Sequence, residues 1–307
     1  MPALLFVEQV LNGLQFGVML FLMAAGLTLV FGIMRLINLA HGSFYMVGAC
    51  LCALAAGASG SFLLGLLAGL AGAALVGAAV EFLVIRRLYD RDHLDQVLAT
   101  FGLILFFNEL VKILFGPRPL LLDPPALLSG AVELLPGLPY PAYRLAIIGV
   151  GIAVALGLYL LIRHSRLGMI IRAGATHREI VAALGVNIRL VYTLVFGLGA
   201  LLAGLAGAMI GPLLSVQIGM GEEILILTFV VIVIGGIGSI KGALVGALLV
   251  GVTDTLARVL LPLVFGAFLE PSAAAGVAAS LASMMIYIVM ALVLVWRPHG
   301  LFPAEGA

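Results

Sequence analysis

Few residues in this chain could do chemistry. Asn38, His41 and Ser43 fall between two apolar runs, with Arg35 just ahead of them. An amide, an imidazole and a hydroxyl at that spacing could line a polar path, because polar side chains in membrane segments face a bundle interior or a water-filled route. The same residues could instead form a turn at the cytoplasmic surface that simply meets water. One histidine does not make a coordination shell, so no metal is expected. Glu81, Glu109 and Asp254 are the acids closest to apolar runs. An ion-coupled carrier would need one of them near the bilayer centre. Glu81 stands five residues before Arg86 and Glu109 stands beside Lys112, so both read as interfacial. Asp254 lies well inside an apolar run, with Arg258 four residues later at the spacing of a helical ion pair. Catalytic machinery is absent from the sequence. It holds no G-x-S-x-G elbow and no H-E-x-x-H, and neither Lys112 nor Lys241 sits in a phosphate-binding loop. The chain is not expected to be an enzyme, and any ATP hydrolysis must come from another chain.

The elements that position these residues are apolar. Of 307 residues, 64% are hydrophobic and 9% charged, against roughly 25% charged in soluble domains. That composition predicts an all-α, polytopic transmembrane bundle, read as a single unit over 1–307. The net charge of +1 gives no support for nucleic-acid binding. Runs long enough to span fall near 8–34, 42–58, 62–85, 96–115, 145–162, 191–213, 223–240, 242–264 and 276–296, about 8–10 spans in all. The first run lacks the basic flank of a cleaved signal and is expected to stay. Cys50 and Cys52 point about 200° apart on a helix, cannot bridge, and read as small packing residues.

Basic residues set the orientation. Arg86, Arg87 and Arg91, the loop 163–189 and Arg297 belong in the cytoplasm. The proline-rich loop 116–144 and the segment 215–222 belong outside, and nine spans would put the N-terminus outside as well. Glycines at four-residue spacing (Gly13 and Gly17, Gly65 and Gly69, Gly207 and Gly211, Gly242 and Gly246) suit close helix packing. Ile37–Ala49 and Ile234–Leu248 echo each other weakly, each with a Gly-Ser pair followed by a small-residue helix. Such interrupted repeats can mark a transport path.

Arg163–Arg189 is the longest charged interruption and holds five of the fifteen basic residues. Within it Thr176 and Glu179 form a T-x-x-E capping box, Ile180, Val181 and Leu184 follow, and Gly185 with Asn187 supplies a stop. This predicts a helix from Thr176 to Leu184, about two turns and roughly 12 Å long. So short a helix is marginal alone in water and must rest against something.

RAGATHREIVAALGVNI (Arg172–Ile188) resembles the cytoplasmic coupling loop of ABC importer permeases, specifically those of the branched-chain amino acid (LivH-type) family. The resemblance extends through GLTLVFGIMRLINLAHGSFYMVGA (Gly26–Ala49), ATFGL (Ala99–Leu103), VIGGIGSIKGALVGALLVG (Val233–Gly251) and RPHGLF (Arg297–Phe302). It implies a multi-pass permease of the bacterial inner membrane that works by alternating access. Its implied partners are a second related, LivM-like permease, two ATPase subunits and a periplasmic solute-binding protein. This chain would bind no cofactor, with ATP and Mg held by the ATPase subunits. Coupling to them would fall to Arg172, Thr176, Glu179, Ala182, Ala183, Leu184, Gly185 and Asn187. The translocation path would include Asn38, His41, Gly42, Ser43, Gly235, Gly236, Gly238 and Ser239. Branched-chain or other hydrophobic amino acids are the expected cargo. Urea, short amides or aromatic carboxylates carried by the same importer type are the alternative, and an ion-coupled secondary carrier a more distant one.

Overall fold

A computed structural model describes residues 3–34, 36–176 and 178–303, without the side chains of 3, 175, 176, 178 and 179. Arg35, His177 and the Thr176–Glu179 capping box therefore lie outside the described residues. The long apolar runs are helices: α1 (Ala3–Met34), α2 (His41–Ser59), α3 (Phe62–Leu83), α4 (His93–Phe115), α5 (Ala142–His164), α8 (Ile188–Ile210), α10 (Ile240–Phe265) and α11 (Pro271–Trp296). These eight are long and apolar enough to cross a membrane. Between α5 and α8 lie α6 (Arg166–Thr176) and α7 (Arg178–Ala183), and α9 (Met220–Gly235) precedes α10.

The helices sort into two ends. Asn12 in α1 accepts hydrogen bonds from Tyr140 at 3.1 Å and from Arg144, and Phe62 meets the Tyr143 ring edge-on. One end thus gathers the starts of α1, α3 and α5. Segment 116–141 lies there, joined to the loop after α8 by paired backbone bonds between Leu120 and Val216. The sequence reads this segment only as a proline-rich loop. In fact it carries a hairpin, β1 (Ala131–Leu135) and β2 (Leu138–Pro141), turned at Gly137 with φ +82°. At the opposite end Arg86 reaches Thr193, the last turn of α9 meets the start of α10, and residues 301–302 bond to Ile234 and Gly235. Arg87, Arg91, Arg163, Arg166, Arg189, Lys241 and Arg297 also belong to this basic end.

Two expected spans are not simple spans. α9 has 16 residues, about 24 Å, short of the roughly 20 residues a crossing needs. The second departure is larger. Parity of nine spans puts the turn after α1 at the cytoplasmic surface, yet His41 lies 3.2 Å from the carbonyl of Met23. Met23 precedes the end of α1 by eleven residues, about 16 Å along the axis. The chain therefore re-enters the bundle after α1, and α2 begins inside it. Asn38, His41 and Ser43 are 0%, 1% and 4% exposed, so the reading of a turn that meets water does not hold.

α1 and α8 form the centre, and glycine lets their neighbours close on them. A Cβ on Gly17 would stand 2.8 Å from the Ala247 carbonyl oxygen, and one on Gly207 2.0 Å from that of Tyr45. Lipid supplies no hydrophobic drive between helices, so this backbone proximity is what packs them. Cys50 and Cys52 are free and buried in α2, as packing residues should be.

Candidate functional site

Three regions hold the residues singled out from sequence. The first is the basic-end loop. Ser165 caps α6 by accepting from Gly168 N–H at 3.0 Å, and Arg172 reaches back to the Ile162 carbonyl. Gly168, Ile171 and Gly174 are buried beneath α6. The sequence reading missed this helix because its apolar residues are spaced by arginine and glycine. α7 follows and is shorter than expected, beginning at Arg178 and ending at Ala183. Its stop is as expected: Gly185 is left-handed at φ +86°, its N–H donates to Ala182, and Val186 donates to Val181. That pair of bonds is a Schellman motif. Asn187 does not share in the stop. Its side chain accepts from Leu190 N–H at 3.1 Å and caps α8. Val181 turns inward at 7% exposed, while Ile180 at 58% and Leu184 at 78% point outward. Ala182 and Ala183 are also exposed. The i, i+3, i+4 set of Ile180, Ala183 and Leu184 thus forms an uncovered apolar face.

Just beyond this loop stands a cluster that sequence reasoning undervalued. Glu81 is fully buried, and Arg86 is its partner as the sequence suggests. Its carboxylate accepts from Arg86 at 3.1 Å, from Tyr89 at 2.6 Å and from Thr193 at 2.6 Å. Arg86 also donates to Thr193 at 2.9 Å. Burial, then the bond to Glu81, pushes the Tyr89 hydroxyl above its ordinary pKa, so it stays a donor. The cluster fastens the end of α3 to the first turns of α8. Arg86 was visible as a neighbour in sequence; Thr193, in another helix, gave no signal.

The expected path residues fall in two places, not one. Asn38, His41, Gly42 and Ser43 sit at the internal start of α2. There His41 contacts Phe44 edge-on, and Phe44 packs edge-on against Phe107 of α4 and Phe196 of α8. Gly42 faces Gly221 at the start of α9 so closely that a Cβ on Gly42 would lie 2.1 Å from the Gly221 oxygen. Gly235, Gly236, Gly238 and Ser239 stand at the basic end. Gly235 meets Gly242 backbone to backbone, Gly236 (φ +105°) meets Phe302 and His299, and Ser239 caps α10 through Gly242 N–H at 3.1 Å. Leu301 and Phe302 N–H groups donate to the Ile234 and Gly235 carbonyls at 2.9 Å. The RPHGLF motif thus closes the end of α9. A cavity of ≈ 360 Å³ opens beside it, lined by Phe31, Val233, Ile237, Leu294, Pro298, His299 and Pro303. The two echoing segments both begin helices, but only the second has a side-chain cap.

Asp254 and Arg258 form the expected pair, with two contacts of 2.9 Å. Glu109 and Lys112 pair in the open at 3.2 Å. Among the described residues no group of three His, Cys, Asp or Glu side chains could hold a metal.

Eight long apolar helices, with basic residues massed at one end, define a multi-pass membrane protein. The chain belongs to the branched-chain amino acid transport system permease component family, whose model matches residues 9–294. It is similar to the high-affinity branched-chain amino acid transport system permease protein LivH of Salmonella typhimurium, at 31% identity over 82% of this chain and 86% of the relative. It is 30% identical to Escherichia coli LivH over the same shares, and 32% identical to BraD of Pseudomonas aeruginosa over 81% and 85%.

Proposed function

We propose that this chain is a permease subunit of an ATP-driven importer of branched-chain or other hydrophobic amino acids in the bacterial inner membrane. Its basic end faces the cytoplasm, as the distribution of Lys and Arg requires. The observation that carries the reading is α7, a short helix ended by the Gly185 motif, whose Ile180, Ala183 and Leu184 have no cover at the basic end. A groove on an ATPase subunit is the surface such a face fits, in the manner of helix-in-groove recognition. Two ATPase subunits would supply ATP and Mg, a related LivM-like permease the other half of the path, and a periplasmic binding protein the substrate. ATP closure would move α7, and with it α8 and α3 through the Glu81 cluster, switching the bundle between outward- and inward-open forms.

In proteoliposomes holding the whole importer, Leu184→Asp, Glu179→Ala and Gly185→Val are expected to separate ATP hydrolysis from uptake while the chain still inserts. Unchanged uptake in all three would count against the coupling role. Thermal shift of the cognate binding protein should respond to leucine, isoleucine or valine; a shift with urea or amides alone would overturn the cargo. Ion-driven uptake by this chain alone would overturn the ATP-driven reading; against such coupling, the buried acids Glu81 and Asp254 are each already paired with an arginine.

A further inference from the structure

We propose that the internal start of α2 is a binding site for the charged groups of a free α-amino acid, and so the point where the path itself recognises its substrate. The inference rests on the importer reading and adds to it the groups of this chain that hold the substrate.

Three observations combine. α2 begins inside the bundle with Ala40 at its cap position, no capping side chain and no acid in its first turn. The N–H groups of a first turn carry about half a positive charge, and no acid in the first turn of α2 itself answers it. α9 starts against the same point, but Glu222 and Glu223 in its own first turn answer its terminus. Next, Asn38 is 0% exposed, yet neither its Oδ1 nor its Nδ2 has a partner. Leaving a buried polar group unsatisfied is costly, so these atoms call for a partner. Finally, His41 is 1% exposed and places Nε2 against the Met23 carbonyl. A carbonyl only accepts, so Nε2 carries the hydrogen, and in the neutral ring Nδ1 is then a bare acceptor. It too has no partner.

Asn38 and His41 belong to one turn, closed by a 3.4 Å bond from His41 N–H to the Asn38 carbonyl. That turn offers donors, Asn38 Nδ2 and the first-turn N–H groups other than those of His41 and Ser43, which already donate to Asn38 and Ala40, beside acceptors, His41 Nδ1 and Asn38 Oδ1. Donors suit a carboxylate and acceptors suit an ammonium, so the set fits a zwitterion better than urea or a simple acid. The site is shut by the contact of Gly42 with Gly221 and by the Phe44 ring cluster. It opens if the start of α9 moves off α2. Glycine at both points allows that closure, since a Cβ on either would overlap the opposing carbonyl.

The test uses the purified importer complex without its binding protein, nucleotide-free and vanadate-trapped. Retention of labelled leucine, isocaproate (no ammonium), isoamylamine (no carboxylate) and urea is measured. Leucine should be retained at least about tenfold better than any other probe in one of the two states, as a charge-assisted hydrogen bond would give. His41→Leu should lose leucine and isoamylamine but keep isocaproate. Asn38→Asp, which keeps the shape and adds negative charge, should lose isocaproate and keep isoamylamine. Equal retention of all four probes, or losses in the variants that do not sort by probe charge, overturns the site. Both variants leave α7 intact and should still capture the ATPase subunits. A wild-type chain that captures none overturns the importer reading instead.

Discussion

Two buried polar clusters in this molecule are built in opposite ways. Around Glu81 the charge is answered from three side: Arg86, Tyr89 and Thr193 all donate to one carboxylate. Around Asn38 and His41 an amide and a ring nitrogen are buried as deeply and answered by nothing. A satisfied cluster rigidifies what it joins, whereas an unsatisfied one is held in place by the packing around it. The first is a joint between α3 and α8, and the second is a place kept for something else.

Substitutions can break that contrast. Glu81→Ala should have the largest effect on stability, about 3–5 kcal/mol, because it strips the carboxylate from a buried pair. Unfolding in mild detergent should show it, and a loss under 1 kcal/mol would remove the joint. Gly221→Ala should follow at about 1–3 kcal/mol, since its Cβ would lie 2.1 Å from the Gly42 oxygen. Cysteine pairs across α2 and α9 should then cross-link more slowly. Ser239→Ala removes the cap of α10 and should cost about 1 kcal/mol. Asn38→Leu should be smallest for stability, near zero or slightly favourable, because an apolar side chain replaces unpaired polar atoms. Uptake should nevertheless fall in that variant. If Asn38→Leu destabilises as much as Glu81→Ala, the two clusters are alike and the comparison fails.

The two clusters also differ in how far the sequence reveals them. Long apolar runs give the helices, because a crossing needs length and little else. The Gly185 stop and the Asp254–Arg258 pair are legible because both are local, set within four or five residues. Glu81 misleads because its decisive partner Thr193 is 112 residues away. The α2 start misleads for another reason. Apolar periodicity states that a segment is buried but not at what depth it starts, so a return of the chain beside Met23 reads as an ordinary turn. The two groups expected from sequence to line a path look alike there for the same cause, and only the fold separates the inner group from the one at the basic end.

The bonds from Leu301 and Phe302 to the last carbonyls of α9 bear on the order in which the protein is made. α9 leaves the ribosome two long helices before the residues that close its end. Until those arrive, the Ile234 and Gly235 carbonyls must be met by water or by the insertion machinery. Membrane assembly of this chain therefore cannot finish helix by helix. The end of α9 is completed only after α11 has been made, and a chain stopped short of Leu301 would insert every long helix yet leave α9 open at the basic end.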